Sequence, residues 1–297
     1  MTIAITGASG LIGTALSRSL AADDVPVVRL VRRPAQSDNE VSWDPTRRWV
    51  DIDALSRAGV SAVVHLAGAG VGDHRWTTSY KQEILASRVD GTTAIAEAVT
   101  ALAGPVALIS GSAIGYYGDT GDRIVDESAP PGTTFLADVV RQWEAATTPA
   151  VEAGIRVAYA RTGLVVTPHG GAWGKMIPIF KAGMGGRIGP GTQWWSFISM
   201  TDEVRALRFL LDNELSGPYN LVAPRPVTNR EAVKDLGAAL HRPSAVPVPG
   251  FALRAALGEF AAEIVASQGV APQRLSAAGF SWVHPTLSQA LTAELVA

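Results

Sequence analysis

The chain has 297 residues, 47% hydrophobic and 18% charged, apolar enough for a large buried core and too weakly charged for disorder. A formal net charge of −2 without a long basic or acidic run argues against a nucleic-acid partner and for a small-molecule one. The absence of cysteine removes disulfides, thiolate nucleophiles and thiolate-bound zinc; with no apolar run of membrane-spanning length and no basic-then-apolar leader, a cytoplasmic protein without a membrane partner is expected.

The first element is the most specific. MTIAITGASGLIG runs a short strand (Ile3, Ala4, Ile5) directly into a glycine-rich turn and a helix start. Gly7 permits the tight turn, Gly10 lets backbone approach a diphosphate, and Gly13 lets the helix sit close to the sheet. The free amides of a helix N-terminus then face the phosphates, so Gly7, Ser9, Gly10, Leu11, Ile12 and Gly13 are candidate nucleotide contacts. The helix itself carries an apolar stripe of Leu11, Ala15, Leu16 and Leu20.

Pro26–Val31, Val41–Trp43 and Ser61–Leu66 read as the next strands, the last ending in Ala67 and Gly68. A long helix is predicted from Thr77 to Leu102, with apolar positions Leu85, Val89, Thr92, Ala96 and Val99 at steps of four and three. Strand Val106–Ser110, a helix from about Phe135 to Ala153 and strand Arg156–Ala160 follow. This alternation predicts an α/β fold, a Rossmann-type doubly wound parallel sheet whose ligand site lies at the carboxyl ends of its strands. That rule gathers Gly7, Arg32, Ala67, Ser110 and Arg161 around one crevice, and Val31, Leu66 and Gly68 join Arg32 and Ala67 as candidate cofactor contacts.

From about Thr162 the texture becomes loop-rich, with AGMGGRIGPGTQWW and APRPVT. Residues 1–165 are therefore read as the nucleotide domain and 166–297 as a smaller C-terminal substrate lobe, with strand Gly217–Val222 returning to the main sheet. Leu253, Leu257, Phe260, Ala261 and Ile264 mark one amphipathic tail helix, a candidate homodimer face. No histidine or carboxylate cluster has metal-ligand spacing, so no metal is expected.

Where an NAD-binding chain places an acid at the end of the second strand, this one has Arg32 and Arg33. A guanidinium binds a 2′-phosphate that a carboxylate would repel, so the pair favours NADP(H); the alternative is a solvated basic turn before Pro34.

With TGASGLIG, Leu66-Ala67-Gly68, SAIGYYGDTGD and the strand at Gly217 in hand, the chain resembles an atypical short-chain dehydrogenase/reductase of the extended, sugar-nucleotide-epimerase-like branch. GAGVGDHRWTTSYKQEILASRVDGT, RTGLVVTPHGGAW and the tail GVAPQRLSAAGFSWVHPTLSQAL carry the likeness to one subgroup along nearly the whole chain. The resemblance implies an NADP-binding oxidoreductase or epimerase-like protein, with Glu83, Arg88 and Val165 contributing to the cofactor site.

It also implies a Tyr-x-x-x-Lys acid/base pair on the helix after the fifth strand, and this chain has Leu136 and Val140 there. Ser112 survives as the candidate that orients a reacting group. Tyr116 and Tyr117 follow it, each readable as a proton donor or as a packed aromatic. Arg187, Gln193, Trp194 and Trp195 suit a flat or anionic substrate, although a tryptophan pair also suits a lobe core. Three functional readings stay open: an NADP(H)-dependent oxidoreductase, an epimerase that reduces its cofactor transiently, and a non-catalytic NADPH-binding sensor or interaction protein.

Overall fold

The computed structural model describes residues 1–296. In chain order the first half contains β1 (Thr2–Thr6), α1 (Leu11–Ala22), β2 (Val27–Val31), β3 (Glu40–Asp44), β4 (Trp49–Val50), α2 (Ile52–Arg57), β5 (Val60–His65), α3 (Thr78–Ala101) and β6 (Ala107–Ala113). There follow β7 (Ile124–Val125), α4 (Phe135–Ala145), α5 (Thr148–Glu152), β8 (Arg156–Thr162), β9 (Leu164–Val166), α6 (Gly171–Lys181), β10 (Trp194–Trp195), β11 (Phe197–Ser199), α7 (Met200–Asp212) and β12 (Gly217–Leu221). The tail adds β13 (Val227–Thr228), α8 (Asn229–Ala239), α9 (Gly250–Leu257), α10 (Phe260–Val265), β14 (Gly269–Val270), α11 (Gln273–Ala277) and α12 (Leu287–Val296).

Eight strands form the main sheet in the order β12-β8-β6-β5-β1-β2-β3-β4, parallel throughout except for the β3–β4 pair. The order reverses between β1 and β5, which is the switch point where an open α/β sheet leaves a crevice. Apolar residues cover both faces. Ile3, Ile5, Leu16, Leu20, Val64 and Leu207 belong to one buried cluster, and Ala4, Val28, Val63, Ile95, Val99 and Leu108 to the other. This is the Rossmann-type sheet expected from the strand–helix alternation, and β12 does rejoin it beside β8.

Two helices differ from the sequence expectation. The helix expected from Phe135 to Ala153 is broken between α4 and α5, because Pro149 has no amide to give and the Thr147 and Thr148 hydroxyls take the Glu144 and Ala145 carbonyls instead. The single tail helix is two, α9 and α10, because Gly258 turns left-handed with φ of 61°. Strand β6 runs three residues beyond Ser110, to Ala113, and so places Ser112 within the sheet.

A separate apolar cluster lies beyond the sheet, built on Trp173, Ile177, Phe180, Trp195, Phe197, Leu236 and Leu291. Asp202, fully buried at the start of α7, accepts the amides of Val283 and His284 and so anchors the tail. Among the described residues no helix is long and apolar enough to cross a membrane, and no group of three or more His, Cys, Asp or Glu is placed to hold a metal ion.

Candidate functional site

The crevice begins at the β1–α1 turn. Gly7 has φ of 67°, and a Cβ there would lie 3.0 Å from the Ala67 amide nitrogen, so the ends of β1 and β5 meet backbone to backbone. A Cβ on Gly13 would stand 2.2 Å from the Gly7 carbonyl oxygen. Gly10 is the N-cap of α1 and offers no side chain to the first helical amides, which are left to an anion. Ser9 and Gly10 are exposed, whereas Leu11 and Ile12 are half-buried. Ile12, Leu66 and Val165 pack on the same buried cluster and so converge from three elements.

Arg88 lies on α3 beside the segment that follows β5. A Cβ on Gly68 would lie 3.4 Å from its Cζ, which brings the end of β5 against α3. Its Nη1 donates to the Ala69 and Ile84 carbonyls at 2.9 and 3.1 Å, and its Cζ lies 5.0 Å from the Trp143 ring. Among the described residues no carboxylate comes within ion-pair distance of it. Burial pushes its pKa down to about 10. A half-buried cation with free N–H groups beside Gly68 fits an anionic ligand. Glu83 is exposed on the same helix. Lys81 pairs with Glu259, the N-cap of α10, at 2.7 Å, tying the helix to the tail.

The arginines after β2 are unlike each other. Arg33 donates to both oxygens of Glu40 at 2.7 and 2.8 Å, whereas Arg32 is exposed with no hydrogen bond or ion pair among the described residues. Val31 is half-buried at the strand end.

The candidate catalytic groups lie farther along the sheet, in one cross-strand row. Ser112, Arg161 and Asn220 are register neighbours on β6, β8 and β12. Ser112 donates to Glu144 Oε1 at 2.6 Å, and Arg161 grips Glu144 through Nε and Nη2, both at 2.8 Å. Tyr117 donates to Asn220 Oδ1 at 2.7 Å and accepts from Arg161 Nη1 at 2.9 Å. Burial, opposed by the Arg161 charge, pushes the Tyr117 phenol up to about 12. Burial alone would lower Arg161, but the Glu144 carboxylate more than offsets it and holds the guanidinium above its ordinary range. Tyr116 differs: its ring lies 3.5 Å from Arg161 Cζ, and its hydroxyl has no partner among the described residues.

Ser112 and Tyr117 are thus brought together, but with their hydroxyls turned into a buried network. Sequence reasoning put Arg161 at the crevice without a role and missed Glu144, Asn220 and Glu40. One signal was available: an arginine inside the otherwise apolar strand RVAYART needs a carboxylate partner once buried. Leu136 lies half-buried beside Val139 in an apolar cluster, and Val140 is buried, so neither provides acid/base chemistry. Trp195 is 7% exposed and packs edge-on against Trp173 in the cluster beyond the sheet, which makes it core. Gln193 is buried, Trp194 half-buried and Arg187 exposed.

A switch-point crevice with a glycine-lined helix N-terminus, and beside the segment after β5 a cation with no ion-pair partner among the described residues, defines a Rossmann protein of the dinucleotide-binding type. Residues 3–221 match the NAD dependent epimerase/dehydratase family, and residues 248–294 match a domain of unknown function, DUF1731. The chain belongs to that epimerase/dehydratase family.

An epimerase family protein of Mycobacterium leprae is 46% identical over 292 residues, covering 98% of this chain and 94% of the relative. A chloroplastic homologue of epimerase family protein SDR39U1 from Arabidopsis thaliana is 36% identical over 304 residues, covering 99% and 86%. The crystal structure of human epimerase family protein SDR39U1, solved with NADPH, superposes with a TM-score of 0.89 at 31% identity, covering 99% of both chains.

Proposed function

We propose that the chain is an NADP(H)-dependent oxidoreductase acting on a small carbonyl, alkene or sugar-like substrate. The observation that carries this reading is Arg88, a half-buried cation without a carboxylate partner among the described residues, lying against Gly68 just beyond the point where the segment after β5 meets the Gly7 turn. The NADPH bound to the human relative supports the choice of cofactor. Gly7, Gly10 and Gly13 with the first amides of α1 would hold the diphosphate, and Arg32 the 2′-phosphate. Ile12, Leu66, Ala67 and Val165 would line the walls. Residues 166–297 would form the substrate lobe. A nicotinamide supplies the hydride, so the protein must bind, orient and move one proton. Of the three hydroxyl candidates Tyr116 fits the proton donor, because its hydroxyl has no partner among the described residues while those of Ser112 and Tyr117 are committed. Ser112 then acts by holding Glu144 and the row beneath the site.

The test has two steps. Calorimetric titration with NADPH and NADH reads the cofactor, and oxidation of NADPH against a panel of aldehydes, ketones and enones reads the chemistry. Tight NADPH binding with turnover that falls in Tyr116→Phe is expected.

A non-catalytic NADPH sensor is the second reading, favoured by Leu136 and Val140 at the acid/base positions. Tight binding with no turnover across the panel, and no isomerised product, would move the assignment there. Epimerisation would show as product without net change in cofactor.

A further inference from the structure

We propose that Glu40 is the positioning residue of the nucleotide's phosphate end: it withdraws Arg33 from the crevice and leaves Arg32 as the one arginine that reads a 2′-phosphate. This rests on the nucleotide-binding reading above and adds a division of labour between two adjacent, chemically identical side chains.

The geometry is specific. The Glu40 side chain is 3% exposed, and all its acceptor positions are occupied. Oε2 takes Arg33 Nη1 at 2.7 Å and the Gln36 amide at 3.0 Å; Oε1 takes Arg33 Nη2 at 2.8 Å and Arg29 Nη2 at 2.9 Å. This bidentate fork holds the carboxyl down at about 2, so it stays ionised throughout the working pH range. In the β2–β3 register Glu40 stands opposite Arg29, whereas Val31 at the strand end stands opposite Ser42. The Arg33 guanidinium is therefore drawn two residues below the carboxyl edge where the crevice opens. A second hydrogen bond, from the Ala35 amide to Ser42 Oγ at 2.9 Å, fastens the same turn to β3. Arg33 Nη1 also reaches the Pro34 carbonyl at 3.0 Å. For Arg33 to reach a phosphate it would have to leave a buried carboxylate half-paired, which is costly. Arg32 has no such tie and projects from the strand end.

The experiment is calorimetric titration of the full chain with NADPH, NADH, 2′,5′-ADP and 5′-AMP, on wild type and four variants whose folding is first checked by thermal melting. A charge-assisted phosphate contact converts to about a 10- to 100-fold ratio. Arg32→Ala is expected to lose about that much of the NADPH over NADH preference, while Arg33→Ala changes the preference by less than about threefold, the rest of its effect being on melting. Rescue is the reading that a merely structural role would not move. In Arg32→Ala/Glu40→Gln, the released Arg33 regains at least about threefold preference for 2′,5′-ADP over 5′-AMP, and adding Arg33→Ala removes it again. Equal loss from Arg33→Ala and Arg32→Ala, or no rescue on releasing Arg33, would overturn the division of labour and leave nucleotide binding intact. Wild type that binds none of the four ligands would overturn the nucleotide reading and this inference with it.

Discussion

Arg161 meets Glu144 through two hydrogen bonds of 2.8 Å, from Nε to Oε1 and from Nη2 to Oε2, a fork-on-fork contact between strand β8 and helix α4. The Arg161 side chain is 4% exposed and that of Glu144 12%. Removing one partner strands the other in a low-dielectric interior. Arg161→Met is expected to lose about 3–5 kcal/mol of unfolding free energy in urea. Arg161→Met/Glu144→Leu should recover a large part of that loss, because no uncompensated charge remains. A double variant no more stable than the single would show that the pair contributes by packing rather than by charge.

Gly13→Ala tests the cradle. Its Cβ would press on the Gly7 carbonyl oxygen at 2.2 Å, so the turn must open, at a cost of about 1–3 kcal/mol. NADPH affinity should fall at least about tenfold. Gly10→Ala, whose Cβ meets the same oxygen at 3.1 Å, is expected to be milder in melting. Paired melting and calorimetry on the two variants check both statements.

Arg88→Met separates binding from stability. Replacing a half-buried guanidinium that has no ion-pair partner among the described residues with an apolar chain of similar length should raise the melting temperature of the ligand-free protein, while NADPH affinity falls. A variant that melts lower than wild type would mean that the bonds to the Ala69 and Ile84 carbonyls outweigh the burial of the charge.

Glu203 makes stability depend on pH. It is fully buried on α7, takes one hydrogen bond from Thr162 Oγ1 at 2.8 Å, and leaves Oε2 without a partner. Burial raises its carboxyl from 4.5 to about 8. Between those values the unfolded chain releases a proton that the folded chain keeps, so stability falls as pH rises from about 4.5 to 8 and this contribution is gone above that. Glu203→Gln should flatten the profile across that window and be more stable than wild type at alkaline pH, by about 1–3 kcal/mol. Urea titrations at acid, neutral and alkaline pH read the difference.

Some features were legible because they are encoded within a few consecutive residues. The TGASGLIG turn specifies strand, turn and helix start together, since each glycine answers a local steric demand. The apolar steps along Thr78–Ala101 specify one long helix, and the alternation of strands and helices specifies a parallel sheet with its site at the strand ends. Arg32 and Arg33, by contrast, look identical in sequence. Their difference depends on Glu40, which β-sheet register places opposite Arg29. Likewise the hydrogen-bond partners of Ser112 and Tyr117, Glu144 and Asn220, stand 32 and 103 residues away in the chain, where no local pattern pairs them. Backbone preferences are set by neighbours in sequence, so the sequence alone determined the scaffold and the nucleotide cradle. A side-chain hydrogen bond goes to whichever partner the packed chain brings within about 3 Å, and only the tertiary structure decided which polar groups stay free at the crevice and which are consumed holding it together.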